Sequence, residues 1–121
     1  VRLFKSHNPN YNDGEQLRDF VYVKDVIKII DWFIENPKIN GLFNVGSSNP
    51  QSFKSLAKSV FRHCNKKTSI KYIPTPLKIR KQYQYFTKAD ISRLRNVGYK
   101  KEFYSLEDGI SDYVKNYLIK I

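Results

Sequence analysis

The run Arg18-Asp19-Phe20-Val21-Tyr22-Val23, leading directly into Lys24-Asp25-Val26, constrains the fold more than any other part of this chain. Phe20 to Val23 is an unbroken series of aromatic and β-branched residues, which suits a pleated, largely buried strand. Asp25 is a good N-cap. Behind it Val26, Ile29, Ile30, Phe33 and Ile34 fall at offsets of 0, 3, 4, 7 and 8, a spacing that predicts a helix with one continuous apolar stripe. A strand running into an amphipathic helix needs a packed surface for that helix to cover, which points to an α/β architecture. Arg18 stands where the strand meets a loop. Its guanidinium fork can grip a phosphate or carboxylate there through two parallel hydrogen bonds, but it can also pair with Asp19 at the surface or stand free in solvent, and the strand-helix pattern alone favours these last two.

The remaining chain alternates short apolar runs with helical spacings. Val1 to Phe4 reads as a strand, and His7 to Glu15, rich in Asn, Asp, Pro and Gly, reads as a loop in which His7 and Tyr11 are assigned no role. Asn36-Pro37 ends the first helix, and Gly41 to Val45 predicts a short strand. Gly46-Ser47-Ser48 then makes a tight turn whose glycine lets the backbone approach neighbouring structure closely. Ser52 caps a second helix carrying Phe53, Leu56, Ala57, Val60, Phe61 and Cys64. Ser69 to Ile73 is a strand that Pro74-Thr75-Pro76 terminates, with a loop to follow. Tyr83 to Phe86 precedes Thr87-x-x-Asp90, a capping-box-like start to a helix with Ile91 and Leu94 that ends around Gly98. Ser105-x-x-Asp108 repeats the device for a last helix bearing Ile110, Tyr113, Val114, Tyr117, Leu118 and Ile121. The expectation is an α/β fold of short strands with about four helices and crossover pairing, the first strand pairing with a partner that lies upstream.

The 121 residues suffice for one domain, 1–121, and the absence of methionine together with a strand at residue 1 leads us to expect a fragment of a larger protein. A net charge of +11 brings nucleic acid, membrane surfaces and anionic small molecules into consideration. The lysines, however, are dispersed from Lys5 to Lys120 with no block longer than a pair, and no nucleic-acid-reading motif accompanies them. No specific nucleic-acid partner is therefore expected. No apolar run approaches the roughly 20 residues of a membrane-spanning helix. Cys64, alone and on the apolar phase of its helix, reads as a small buried hydrophobe in a reducing, cytoplasmic setting, and with only His7 and His63 beside it there is no zinc spacing.

Arg18 to Val26 resembles the signature that opens the substrate-binding part of extended short-chain dehydrogenase/reductases acting on nucleotide sugars. Leu3-Phe4-Lys5-Ser6, Gly41-Leu42-Phe43-Asn44-Val45-Gly46 and Tyr83-Gln84-Tyr85-Phe86-Thr87-Lys88-Ala89-Asp90 narrow the resemblance to the ADP-glyceromanno-heptose 6-epimerases. It spans nearly the whole chain but only the C-terminal substrate-binding portion of such an enzyme, with the Rossmann part missing. It implies an ADP-sugar held by Phe4, Lys5, Ser6, Arg18 and Tyr83, NADP bound by the missing N-terminal part, and a cytoplasmic homo-oligomer that inverts C6″ by oxidation and re-reduction in lipopolysaccharide core precursor biosynthesis. Arg18 and Lys5 would match the diphosphate charge, Phe4 would give a stacking face, Ser6 a compact hydroxyl and Tyr83 a phenolic hydrogen bond. Ordinary core packing is the competing reading for Phe4 and Tyr83.

The chemistry of hydride transfer is not written in these residues. The superfamily uses a Gly-rich turn for the cofactor pyrophosphate and a Tyr-x-x-x-Lys pair. Gly14, Gly41, Gly46, Gly98 and Gly109 are scattered, and none of the nine tyrosines has a lysine four residues on. The segment alone is expected to be inactive, with no catalytic or metal-binding residue of its own. The alternatives from other classes are a free-standing basic module that binds nucleic acid and an assembly fragment.

Overall fold

The structure, a computed structural model, describes residues 1–119. In chain order the elements are β1 (Arg2–Phe4), β2 (Leu17–Arg18), α1 (Val23–Glu35), β3 (Gln51–Ser52), α2 (Phe53–His63), β4 (Lys71–Ile73), α3 (Leu77–Arg80), α4 (Ser92–Asn96) and α5 (Leu106–Tyr113), which runs on into a π-helical turn, Val114–Leu118. β1 pairs in parallel with β4, Phe4 opposite Ile73, and β2 pairs antiparallel with β3, Arg18 opposite Gln51. Among the described residues the first strand thus finds its partner downstream, in β4. Parallel strands need a crossover, and α2 lies within it.

The aromatic run does not become a strand. Only Leu17 and Arg18 enter a ladder, while Phe20 and Tyr22 pack their rings edge-on against Phe53 and Tyr104, 5.5 and 5.1 Å between centroids. The helix therefore starts earlier than its sequence suggests, with extended Tyr22 as the flanking residue. Asp25 is not its N-cap. It is buried in the first turn, where an acidic group suits the helix dipole, and its carboxylate accepts the backbone N–H of Tyr104 at 2.8 Å.

The predicted stripe on α1 is only half used. Ile29 is buried against Leu94 and Tyr99, with Trp32, Phe33, Phe43 and Phe103 around them, and this cluster is the core. Ile30 and Ile34, assigned by spacing to the same stripe, are 54% and 71% exposed. Gly41 to Val45 enters no ladder among the described residues, and Leu42 is 82% exposed, while Phe43 turns in to meet the Phe33 ring at 4.9 Å.

The other local caps form where the sequence puts them, with Thr87 as the exception. Ser52 and Ser105 accept the backbone N–H of Ser55 and Asp108, each at 3.0 Å. Gly98, at φ +109°, ends α4 in the left-handed region, and the next N–H, of Tyr99, reaches back to the Leu94 carbonyl at 3.3 Å. Thr87 caps nothing. α4 begins only at Ser92, whose N–H is taken by Asp90 at 2.9 Å, while the Thr87 hydroxyl turns back to Gln84. The loop expected after β4 contains the single turn α3, held by Arg80 donating to the Thr75 carbonyl at 2.8 Å. Of the last helix's apolar face, Val114 is buried and Tyr113, Tyr117 and Leu118 are exposed, while Ile121 lies outside the described residues.

Candidate functional site

β1 and β2 deliver two of the five candidate residues, and the aromatic segment after α3 supplies a third. The Phe4 carbonyl accepts the Gly14 N–H at 3.3 Å, and the Lys5 N–H extends the β1–β4 ladder to the Ile73 carbonyl at 2.8 Å. Beneath this strand end the buried amide of Gln16 donates to the Phe4 carbonyl at 3.2 Å. The Leu17 N–H meanwhile donates to the Tyr85 carbonyl at 2.8 Å and so lays residues 83–85 alongside β2. Phe4, Arg18 and Tyr83 are the result of that convergence. The Phe4 and Tyr83 rings meet edge-to-face at 5.9 Å, and the Arg18 guanidinium lies over the Tyr83 ring at 5.4 Å.

Arg18 is held on a second side by Phe53, at 5.7 Å, and its Nη1 donates to the Leu17 carbonyl at 2.8 Å. A guanidinium near two aromatic rings loses rotamer freedom, which helps preset its fork of donors for a bidentate acceptor. Among the described residues no carboxylate pairs with it. The surface-pair reading fails for a specific reason: the Asp19 carboxylate is taken by Ser47, Ser48 and Ala89. Burial raises the Tyr83 phenol above its ordinary range, partly opposed by the Arg18 charge. The phenol is thus a neutral hydrogen-bonding group at neutral pH.

Lys5 and Ser6 are not gathered into this cluster. Lys5 is exposed and makes no ion pair among the described residues. Ser6 faces its own loop, its N–H bound by Asp13 at 2.7 Å and its hydroxyl donating to the Asn8 carbonyl at 2.8 Å, beside a hollow lined by His7, Tyr11, Lys54 and Tyr72. Sequence reasoning passed over three residues that shape the site. By its spacing Phe53 belongs to the core, Asp19 has the credentials of a surface partner, and no pattern marks Tyr85, whose hydroxyl accepts the His7 N–H at 2.7 Å. The glycine beside Ser47 was the available signal for Asp19. An alanine Cβ at Gly46 would sit 2.5 Å from the Ala89 Cβ and 2.7 Å from Asp19 Oδ2.

A dinucleotide cofactor is not accommodated by these residues. A pyrophosphate cradle needs a strand leading through closely spaced glycines into a helix N-terminus. Here β2 passes into α1 through Asp19 to Tyr22, β3 into α2 through Ser52 and β4 into α3 through prolines, and no glycine lies in any of the three junctions.

The family model described as "NAD dependent epimerase/dehydratase family" matches residues 5–46. ADP-L-glycero-D-manno-heptose-6-epimerase of Nitratidesulfovibrio vulgaris is 43% identical over 118 residues, covering 98% of this chain and 36% of that protein. Its counterpart from Fusobacterium nucleatum is 44% identical over 126 residues, with 99% and 38% covered. The chain thus spans little more than a third of the length of these curated relatives. Among solved structures, the Helicobacter pylori enzyme of the same name superimposes with a TM-score of 0.72 at 30% identity, over 98% of this chain and 33% of that one. Thermus thermophilus UDP-glucose 4-epimerase, solved with NAD, shares the fold at a TM-score of 0.77 and 20% identity, over 100% and 36%.

Proposed function

We propose that this chain is the substrate-binding segment of an ADP-L-glycero-D-manno-heptose 6-epimerase of the NAD dependent epimerase/dehydratase family, a reading supported by the family match over residues 5–46 and by 43–44% identity to two such enzymes along 98–99% of the chain. The observation that carries the reading is Arg18, a guanidinium within cation–π range of both Phe53 and Tyr83 and with no carboxylate partner among the described residues. Such a group suits a diphosphate: the charge attracts it and the fixed plane of donors gives it a direction. Tyr83 and Phe4 would then border the anion with a phenolic hydroxyl and an apolar edge, while Lys5, exposed at the end of β1, would reach in as a flexible second cation. Ser6 would contact the substrate only if the 6–13 loop rearranged, since its hydroxyl is engaged within that loop.

The same reading assigns NADP and the general base to the N-terminal part of the complete enzyme, and it makes this segment inactive alone. It also carries a cytoplasmic homo-oligomer working in lipopolysaccharide precursor synthesis. No described helix is long and apolar enough to cross a membrane.

The test is titration of ADP-sugar onto the complete enzyme and its Arg18→Ala variant. A charge-assisted hydrogen bond contributes about 1.5–3 kcal/mol, so kcat/KM should fall roughly ten- to a hundred-fold. Arg18→Lys should recover only part, because an ammonium cannot reproduce the fork. Unchanged kinetics with a lowered melting temperature would reduce Arg18 to a packing role and defeat the proposal.

A further inference from the structure

Asp19 is the least expected participant near the site. One oxygen of its carboxylate accepts the Ser47 N–H at 2.8 Å and the Ser47 hydroxyl at 2.5 Å; the other accepts the Ser48 N–H at 2.9 Å and the Ala89 N–H at 2.8 Å. No lysine, arginine or histidine among the described residues pairs with it. Its charge is met by backbone donors from two segments distant in sequence. Ser48 sits at φ +58°, a conformation that costs a non-glycine residue roughly 1–2 kcal/mol, and this geometry helps turn successive N–H groups inward as an anion-binding nest. The nest is filled by the chain's own carboxylate.

The two segments are also tied to each other, since the Ser48 hydroxyl donates to the Ala89 carbonyl at 2.7 Å. The stretch from Tyr83 to Ala89 is therefore fastened at two points, to β2 by Leu17 N–H to the Tyr85 carbonyl and to the residue just after β2 by Ala89 N–H to Asp19. Arg18 lies between those two anchors in the chain. Tyr83, two residues before one of them, carries the ring on which the guanidinium rests. We infer that Asp19 is a positioning residue: its carboxylate clasps the 46–48 turn and the 83–89 segment onto the end of β2, and so fixes Tyr83 against Arg18 in the orientation that receives the diphosphate. The inference rests on the substrate-binding reading proposed above.

A residue that merely supported the fold would change stability without acting through Arg18, and a double-mutant cycle separates the two cases. Dissociation constants for ADP are measured on the complete enzyme, its Arg18→Ala and Asp19→Asn variants and the double variant, each checked by urea denaturation. Asp19→Asn should weaken ADP about ten-fold, an effect the size of one misdirected charge-assisted bond, and should add nothing in the Arg18→Ala background. Multiplied losses in the double variant, or unaltered ADP affinity in a folded Asp19→Asn protein, would overturn the inference while leaving Arg18 in place. If Arg18→Ala itself leaves ADP binding intact, the substrate-binding reading falls and this inference with it. Should Asp19→Asn fail to fold, Ser48→Ala removes only the hydroxyl bond to Ala89 and keeps the N–H on Asp19. It should weaken ADP about three-fold and again only when Arg18 is present, as for loss of one neutral hydrogen bond. An equal loss without Arg18, or none, would overturn the proposal.

Discussion

Gly46→Ala tests the junction between the turn and the 83–89 segment at its tightest point. Gly46 is buried, and an added Cβ would lie 2.5 Å from the Ala89 Cβ and 2.7 Å from Asp19 Oδ2. Comfortable contact between carbons is about 3.5–4.0 Å, so the two backbones must separate by about 1 Å. Overpacking of that kind costs about 1–3 kcal/mol. The same displacement stretches the bonds from Ser47, Ser48 and Ala89 to the carboxylate, and losing one adds about 1.5–3 kcal/mol. A loss of about 2.5–6 kcal/mol is therefore expected in urea denaturation of the complete enzyme, large against a total stability of about 5–15 kcal/mol. Adding Ala89→Gly removes the closer of the two clashing atoms and should restore the steric part but not the part due to Asp19. The reasoning is refuted if Gly46→Ala costs less than about 0.5 kcal/mol, the usual range for a substitution away from any such feature, or if Ala89→Gly recovers nothing in its background.

Leu94→Ala empties the centre of the cluster formed with Ile29 and Tyr99, and Leu94 is fully buried, so denaturation should show a loss of about 2–5 kcal/mol. Burial of Asp19 pushes its carboxyl up, but the hydrogen bonds from Ser47, Ala89 and Ser48 outweigh this and hold it below the usual carboxylate value. A group depressed in this way stabilises the fold above its unfolded value of about 3.9 and loses that contribution as pH falls through the folded value, so stability should drop below about pH 4. Asp19→Asn should show a shallower acid limb when stability is followed against pH.

The features legible in the sequence are those decided within a turn or two of the chain. Ser52 and Ser105 each bond an N–H three residues ahead, and Gly98 alone can take the left-handed position after α4 at little cost. Asp25 has the same local credentials as a cap, yet its carboxylate serves a backbone N–H 79 residues away, which no local pattern encodes. The aromatic run at Phe20 misleads for a related reason. Aromatic residues favour any half-buried surface, and here the surfaces are the rings of Phe53 and Tyr104 rather than strand partners. On α1 the spacing finds the apolar positions but not what covers them, and Ile30 and Ile34 stay open among the described residues.

At the candidate site the identity of Arg18 was legible and its company was not. The sequence sets Arg18 and Asp19 side by side, and charge alone invites them to pair. Their surroundings oppose it, because the two side chains are held by different neighbours. Arg18, the last residue of β2, is paired in register with Gln51 and turns to Phe53 and Tyr83, while Asp19 turns to Ser47, Ser48 and Ala89. The separation matters energetically. A carboxylate beside the guanidinium would occupy the donors that an incoming anion needs and cancel the charge that attracts it. With backbone N–H groups holding Asp19 instead, the acidic half of the dipeptide organises the neighbouring segments without quenching its basic half. The different partners taken by two consecutive side chains at the end of β2 are what allow an acid to stand next to an anion-binding arginine in sequence and apart from it in space.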